Sequence, residues 1–250
     1  MTIVITGAGA GLGKAIATQL TELGKPVLAL TRRDADLSRM GEVRRLGRDI
    51  LARCPDVQVL INNAGVSKFM RELTPDGFET TFATNYLAPF LLSNLLLPAL
   101  TRNRGTIVNI GSEQHRWVQA IPWDDLQGER SFNPIERYSL SKLYLALFTR
   151  ELARRAAGVV VSCVSPGFLR TGLGREARGS FHVFLALTRP IRRPASAGAA
   201  AVVEVLGNRD SGAYFRGTHI VAPSKLALDD ASAARLWSLS ADLVELAQVR

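Results

Sequence analysis

Tyr138 and Lys142 stand four residues apart in Tyr138-Ser139-Leu140-Ser141-Lys142, within a stretch patterned as a long helix. That spacing puts a phenol and an ammonium on one helical face. An unperturbed phenol titrates near ~10 and exchanges protons poorly at neutral pH. A neighbouring positive charge favours the phenolate, so the spacing predicts a lowered Tyr138 pKa, each unit being worth about 1.4 kcal/mol. Taken alone, such a pair is commonly just exposed on a helix. Ser112, which closes Ile107-Val108-Asn109-Ile110-Gly111-Ser112, adds a hydroxyl donor able to polarise an oxygen on which charge develops.

A second chemistry lies near the N-terminus, in Thr6-Gly7-Ala8-Gly9-Ala10-Gly11-Leu12-Gly13, between a strand-like and a helix-like segment. Bare amides at a helix N-terminus attract pyrophosphate, and glycine lets it approach closely. The spacing G-x-G-x-x-G fails at Leu12 and Lys14, whereas T-G-x-x-x-G-x-G fits through Gly7, Gly11 and Gly13. Gly7, Gly9, Ala10, Gly11, Leu12 and Gly13 are therefore candidate cofactor contacts, a merely tight turn being the alternative. After the second strand, where an acidic residue would hold the ribose hydroxyls of NAD, the chain reads Thr31-Arg32-Arg33. Arg32 offers a planar fork for a 2′-phosphate, which points to NADP(H) and leaves NAD(H) open; a solvated loop arginine is the alternative.

These residues need a scaffold of alternating elements. Strands are predicted at Ile3–Thr6, Val27–Leu30, Val57–Ile61, Thr106–Ile110, Val159–Val164 and near His219–Val221. Helices are predicted at Leu12–Leu23, around Val43–Leu51, from Thr74-Pro75 to about Leu100, and at Pro134–Ala156, Ala195–Leu206 and Ala231–Ala247. Repeated βα units imply an α/β fold with a doubly wound parallel sheet and helices on both faces.

In order along the chain, the glycine turn, Asn62-Asn63-Ala64-Gly65, Asn85, Ser112, Tyr138 with Lys142, and Pro166-Gly167-Phe168-Leu169-Arg170-Thr171 resemble the short-chain dehydrogenase/reductase superfamily. Asp125-Leu126-Gln127-Gly128-Glu129, Leu147-Phe148-Thr149-Arg150-Glu151-Leu152-Ala153 and Arg235-Leu236-Trp237-Ser238-Leu239-Ser240 resemble its retinol-dehydrogenase-like branch. The resemblance spans nearly the whole chain and implies a single-domain Rossmann-type fold. It implies catalytic roles for Asn85, Ser112, Tyr138 and Lys142: Tyr138 gives a proton to a carbonyl oxygen that Ser112 polarises, Lys142 bonds the nicotinamide ribose, and Asn85 holds a water. It places Asn63, Ala64, Gly65, Tyr138, Lys142, Pro166, Gly167 and Thr171 beside the cofactor, with Asn63 alternatively bracing the central strands. His115 reads as structural rather than substrate-binding, and Glu113 as meeting a polar substrate group or solvent. Asp36-Leu37-Ser38 resembles the superfamily segment after the third strand, where an Asp contacts adenine, yet only four residues separate Thr31 from Asp36. A parallel crossover needs about a dozen residues. The resemblance therefore implies that a helix and an edge strand after the second strand are missing, which leaves the adenine end of the site more open and puts the Asp36 contact in doubt.

The segment between Gly172 and Pro194 matches the superfamily's substrate lid, apolar through Phe181, Val183, Phe184, Leu185 and Leu187; Trp117 and Trp123 add aromatic surface. A hydrophobic, aromatic or polyketide-like ketone or aldehyde fits these features, as does a lid that packs on the core. The 250 residues, 47% hydrophobic and 21% charged, suit one large core. The net charge of +9 comes from dispersed arginines, which argues against nucleic acid as a partner. The cysteines, Cys54 and Cys163, and three histidines have no metal-ligand spacing, and no stretch reads as a membrane span, so a soluble, cytoplasmic enzyme is expected. Homo-oligomers built on two long helices are common in the superfamily. A non-redox cyclase, dehydratase or isomerase using Tyr138 as acid or base, and a regulatory protein on the same fold, remain alternative readings.

Overall fold

The computed structural model describes residues 2–169 and 193–246. Seven strands form one sheet in the order β2-β1-β3-β4-β5-β6-β7. They are β1 (Thr2–Ile5), β2 (Val27–Ala29), β3 (Val57–Asn62), β4 (Thr106–Ile110), β5 (Val160–Ser165), β6 (Tyr214–Arg216) and β7 (His219–Ile220). All neighbouring pairs are parallel except β6 and β7. Strands β1, β3, β4 and β5 are buried almost throughout, which is why they read as apolar runs rather than alternating ones.

Helices α1 (Gly11–Glu22) and α5 (Ala195–Val205) cover one face of the sheet. On the other face lie α2 (Met40–Arg53), α3 (Thr80–Arg102), α4 (Pro134–Arg155) and α6 (Asp230–Leu243). Helix α3 is long and apolar enough to cross a bilayer, but 78% of its apolar window is buried inside the protein, as suits a core helix. The chain winds outward in opposite directions from β1 and β3. Their carboxyl ends therefore open a crevice, the usual ligand position in such sheets.

The predicted truncation is present. Between Ala29 and Met40 the chain forms only turns, and β2 is the sheet edge. The Asp34 carboxylate accepts from the Thr31 amide at 2.8 Å and hydroxyl at 2.9 Å, closing the short loop.

Two expectations need correction. Thr74-Pro75 does not open a helix: it starts a tight turn in which Gly77 N–H donates to Thr74 O at 2.9 Å, with Leu73 bridging Glu79. Proline second and glycine fourth, at φ +80°, favour that turn. The helix starts at Thr80, capped by the buried Glu79 carboxylate, which accepts from Thr81 N–H at 2.8 Å and Phe82 N–H at 2.7 Å. Strand β6 was not predicted; its three residues are too few for a readable alternation.

Candidate active site

A cleft of about 850 Å³ runs along the carboxyl ends of the parallel strands. Gly7, Gly9, Ala10, Gly11, Leu12, Gly13, Arg32, Asn63, Ala64, Gly65, Ser112, Tyr138, Lys142, Pro166 and Gly167 all line it. The sequence-predicted residues are thus brought together, apart from Asn85, which lies behind the wall, and Thr171, which is outside the described residues. The same holds for nearly all of the predicted lid, although its flanks meet: Leu169 pairs with Arg193, whose N–H donates to Phe168 O at 3.0 Å.

At one end, Gly7 and Gly11 hold φ of +68° and +55°, a region that favours glycine. A Cβ on Gly13 would lie 2.3 Å from Gly7 O and 2.4 Å from Asn63 Nδ2, so only glycine packs there. These are the three glycines of the T-G-x-x-x-G-x-G pattern; a Cβ on Gly9 would make only ordinary contact, 3.6 Å from Thr31. The N-cap of α1 is Ala10, whose side chain caps nothing. The first amides of the helix thus receive no side-chain cap from Ala10 and border the cleft, which fits an anionic pyrophosphate. Asn63 both lines the cleft and braces it, donating to Thr6 O at 2.8 Å. Arg32 is exposed at the cleft edge, near enough to Asp36 to help depress its carboxyl. Asp36 also borders the cleft, but its carboxylate is engaged by the Ser38 amide at 3.0 Å and hydroxyl at 2.8 Å.

At the other end stand Ser112, Tyr138 and Lys142. Ser112 leaves β4 in extended geometry and N-caps a short 3-10 turn, Glu113–Trp117, accepting from Gln114 N–H at 3.3 Å. Its hydroxyl borders the cleft together with Tyr138. Tyr138 and Lys142 share a face of α4, the lysine Nζ lying 5.6 Å from the tyrosine ring centre. Lys142 donates to Ile110 O at 2.8 Å, which anchors the ammonium at the end of β4.

Burial, rather than mutual attraction, dominates these two groups. It pushes the Tyr138 phenol up to about 12, with the Ser112 bond pulling the other way, and pushes Lys142 down to about 8. The predicted lowering of Tyr138 is therefore not found: a low dielectric disfavours phenolate and ammonium alike. The phenol is held in its acid form at neutral pH.

The surroundings of three other residues are now defined. Asn85 sits in a π-helical turn, Ala83–Leu87, of α3 and is buried. Its amide oxygen accepts from Val66 N–H at 2.8 Å, and its nitrogen donates to Val66 O at 2.9 Å and Ser141 Oγ at 3.0 Å. It ties the loop after β3 to α4. Glu113 does not line the cleft; its carboxylate, half-buried, accepts from Tyr214 OH at 2.9 Å, Arg116 Nε at 3.1 Å and Arg216 Nε at 3.0 Å. Trp117 lines the cleft, but Trp123 does not: it packs against the core with the Arg235 guanidinium 4.4 Å from its ring. Sequence reasoning missed Phe69, Gln114 and Ile135, which also face the cleft. They lie in loops or at a helix start, where no periodicity marks an inward face.

The short chain dehydrogenase family matches the chain in two overlapping stretches, 1–58 and 33–180, as a missing βα unit between them would produce. The chain is 34% identical to human Retinol dehydrogenase 13 over 282 aligned residues, covering 98% of this chain and 85% of that one. Its fold is similar to 3-alpha-hydroxysteroid dehydrogenase from Pseudomonas sp. B-0831 complexed with NADH (TM-score 0.71, 24% identity, 86% of this chain and 94% of that one). It is also similar to NADPH bound carbonyl reductase from chicken fatty liver (TM-score 0.66, 21% identity, 88% and 98%). The chain belongs to the short-chain dehydrogenase/reductase family, in the retinol-dehydrogenase-like branch. Oxidoreduction of small molecules with a nicotinamide nucleotide follows from that membership; one nucleotide type does not.

Proposed function

We propose that this protein is an NADP(H)-dependent reductase of a hydrophobic ketone or aldehyde, aromatic or polyketide-like, with Tyr138 as proton donor. The observation that carries the reading is the convergence of Ser112, Tyr138 and Lys142 at one end of a cleft whose other end is the glycine turn and Arg32. When bound, the nicotinamide supplies the hydride. Gly7, Gly11, Gly13 and the first amides of α1 would hold its pyrophosphate, Asn63, Ala64 and Gly65 the adenosine side, and Arg32 a 2′-phosphate through its planar fork. Lys142, with only one of its three donors committed to Ile110 among the described residues, retains N–H groups for the ribose.

Ser112 accepts from Gln114 N–H, which steadies a hydroxyl that borders the cleft alongside Tyr138. A carbonyl oxygen placed there receives a hydrogen bond that strengthens as negative charge grows. Tyr138, kept protonated by burial, releases its proton to that oxygen, and the Lys142 ammonium stabilises the phenolate left behind. Phe69, Trp117 and Ile135 give the substrate end an apolar wall, which supports a hydrophobic substrate.

Fluorescence titration with NADPH and NADH, followed by loss of nicotinamide absorbance over a panel of aromatic and polycyclic ketones, tests the reading. Tighter NADPH binding and turnover of at least one ketone are expected. Saturable binding with no carbonyl turned over, while a cyclisation or dehydration proceeds, would replace it with a non-redox enzyme.

A further inference from the structure

We infer that His115 is a positioning residue for Ser112, tying the serine's backbone to the chain segment around Ser224. The inference rests on the proposed role of Ser112 in polarising the substrate oxygen. His115 is completely buried three residues after Ser112, and both ring nitrogens have partners. Nε2 faces the Ser224 N–H at 3.0 Å. An amide nitrogen can only donate, so Nε2 accepts and the ring proton sits on Nδ1. That proton points at Ser112 O, 2.7 Å away. The same carbonyl accepts from His115 N–H at 3.2 Å, so the histidine grips the serine twice.

The ring is in turn fixed from outside. Tyr214 packs against it with ring centres 4.8 Å apart and its hydroxyl 3.3 Å from Nδ1. With Nδ1–H committed to Ser112, that hydroxyl donates instead to Glu113 Oε1 at 2.9 Å. Arg116 and Arg216 close on the other carboxylate oxygen, and Arg116 also bonds Ala222 O. Glu113, His115 and Arg116 thus each reach the segment from Tyr214 to Ser224. A neutral imidazole with one donor and one acceptor is the spacer between that segment and Ser112. Its orientation fixes the serine backbone, and with it the Cα from which the hydroxyl projects, while Gln114 N–H steadies the hydroxyl itself.

A double-mutant cycle tests this against a merely structural role, using NADPH and the panel ketone that the wild type turns over fastest. His115→Leu should lower kcat about tenfold or more while the NADPH Kd stays within about twofold. His115→Gln, whose amide keeps one donor and one acceptor, should recover most of the loss. In a Ser112→Ala background, His115→Leu should cost less than about twofold, since the group it positions is gone. Should His115→Leu fail to fold, Tyr214→Phe takes its place, with a few-fold loss of kcat that likewise disappears in Ser112→Ala. An equal loss with and without Ser112, or a His115→Gln variant as impaired as His115→Leu, overturns the positioning role. If Ser112→Ala itself leaves kcat intact, the reading of Ser112 fails instead, and the two failures are distinguishable.

Discussion

Lys142 is the residue whose protonation state the site depends on. Burial holds it at about 8 against an ordinary 10.5, so the folded protein releases this proton first as pH rises. Two effects with opposite signs follow. Between those values the unfolded chain binds more protons, so this group makes the fold more stable as pH rises and less stable as pH falls through about 8. The rate of carbonyl reduction should instead decline above about pH 8, because the charge that stabilises the Tyr138 phenolate is lost. Tyr138, at about 12, does not titrate in that range. A pH–rate profile of the wild type and Lys142→Arg checks this. The arginine stays charged throughout, so its residual activity should lack the alkaline limb.

Residue identity was readable here where chemistry dictates it. Tyr138, Lys142, Ser112 and the glycines are specified by spacing along a short stretch of chain, and the fold gathers them as the spacing implies. His115 read as structural, but its partner and those of Glu113 were not readable, because Tyr214, Arg216 and Ser224 come from some hundred residues further on. Asn85 was found by its motif, but its role depends on Val66 and Ser141, which sequence does not place beside it.

At the scale of elements, the β1–α1 turn makes the sharpest distinction. A Cβ at Gly13 would overlap Gly7 O, whereas one at Gly9 would rest against Thr31 at ordinary contact. Gly13→Ala should therefore weaken NADPH binding by about tenfold or more and lower the melting temperature, and Gly9→Ala should change each little. Fluorescence titration and a thermal melt of the two variants measure this. The alternation of strand and helix made most of the fold legible, and four residues between Thr31 and Asp36 were enough to exclude a crossover. The start of α3 was misread because Thr-Pro serves a helix cap and a turn equally well. Asp76-Gly77 decided for the turn, and the cap passed to Glu79.

Across the whole molecule, α6 completes the core on the sheet face that it shares with α2, α3 and α4. Trp237 lies between Phe90 at 5.0 Å and Phe148 at 6.0 Å between ring centres, with the Arg155 guanidinium 4.6 Å from its ring. Tyr86 bonds Ser240 across the same interface at 2.6 Å. Helix α6 thus covers part of the surface of the two long helices, α3 and α4. Trp237→Ala should cost about 2–3 kcal/mol in urea unfolding while leaving the NADPH Kd unchanged, because the cleft lies at the strand ends and not on this face.

The central claim is that Tyr138 supplies the proton for carbonyl reduction, and Tyr138→Phe addresses it directly. The variant keeps the ring and loses only the hydroxyl. NADPH should bind with the wild-type Kd, while ketone turnover should fall by about 10²–10⁴. A variant that binds NADPH normally and still turns the ketone over at the wild-type rate would contradict the account.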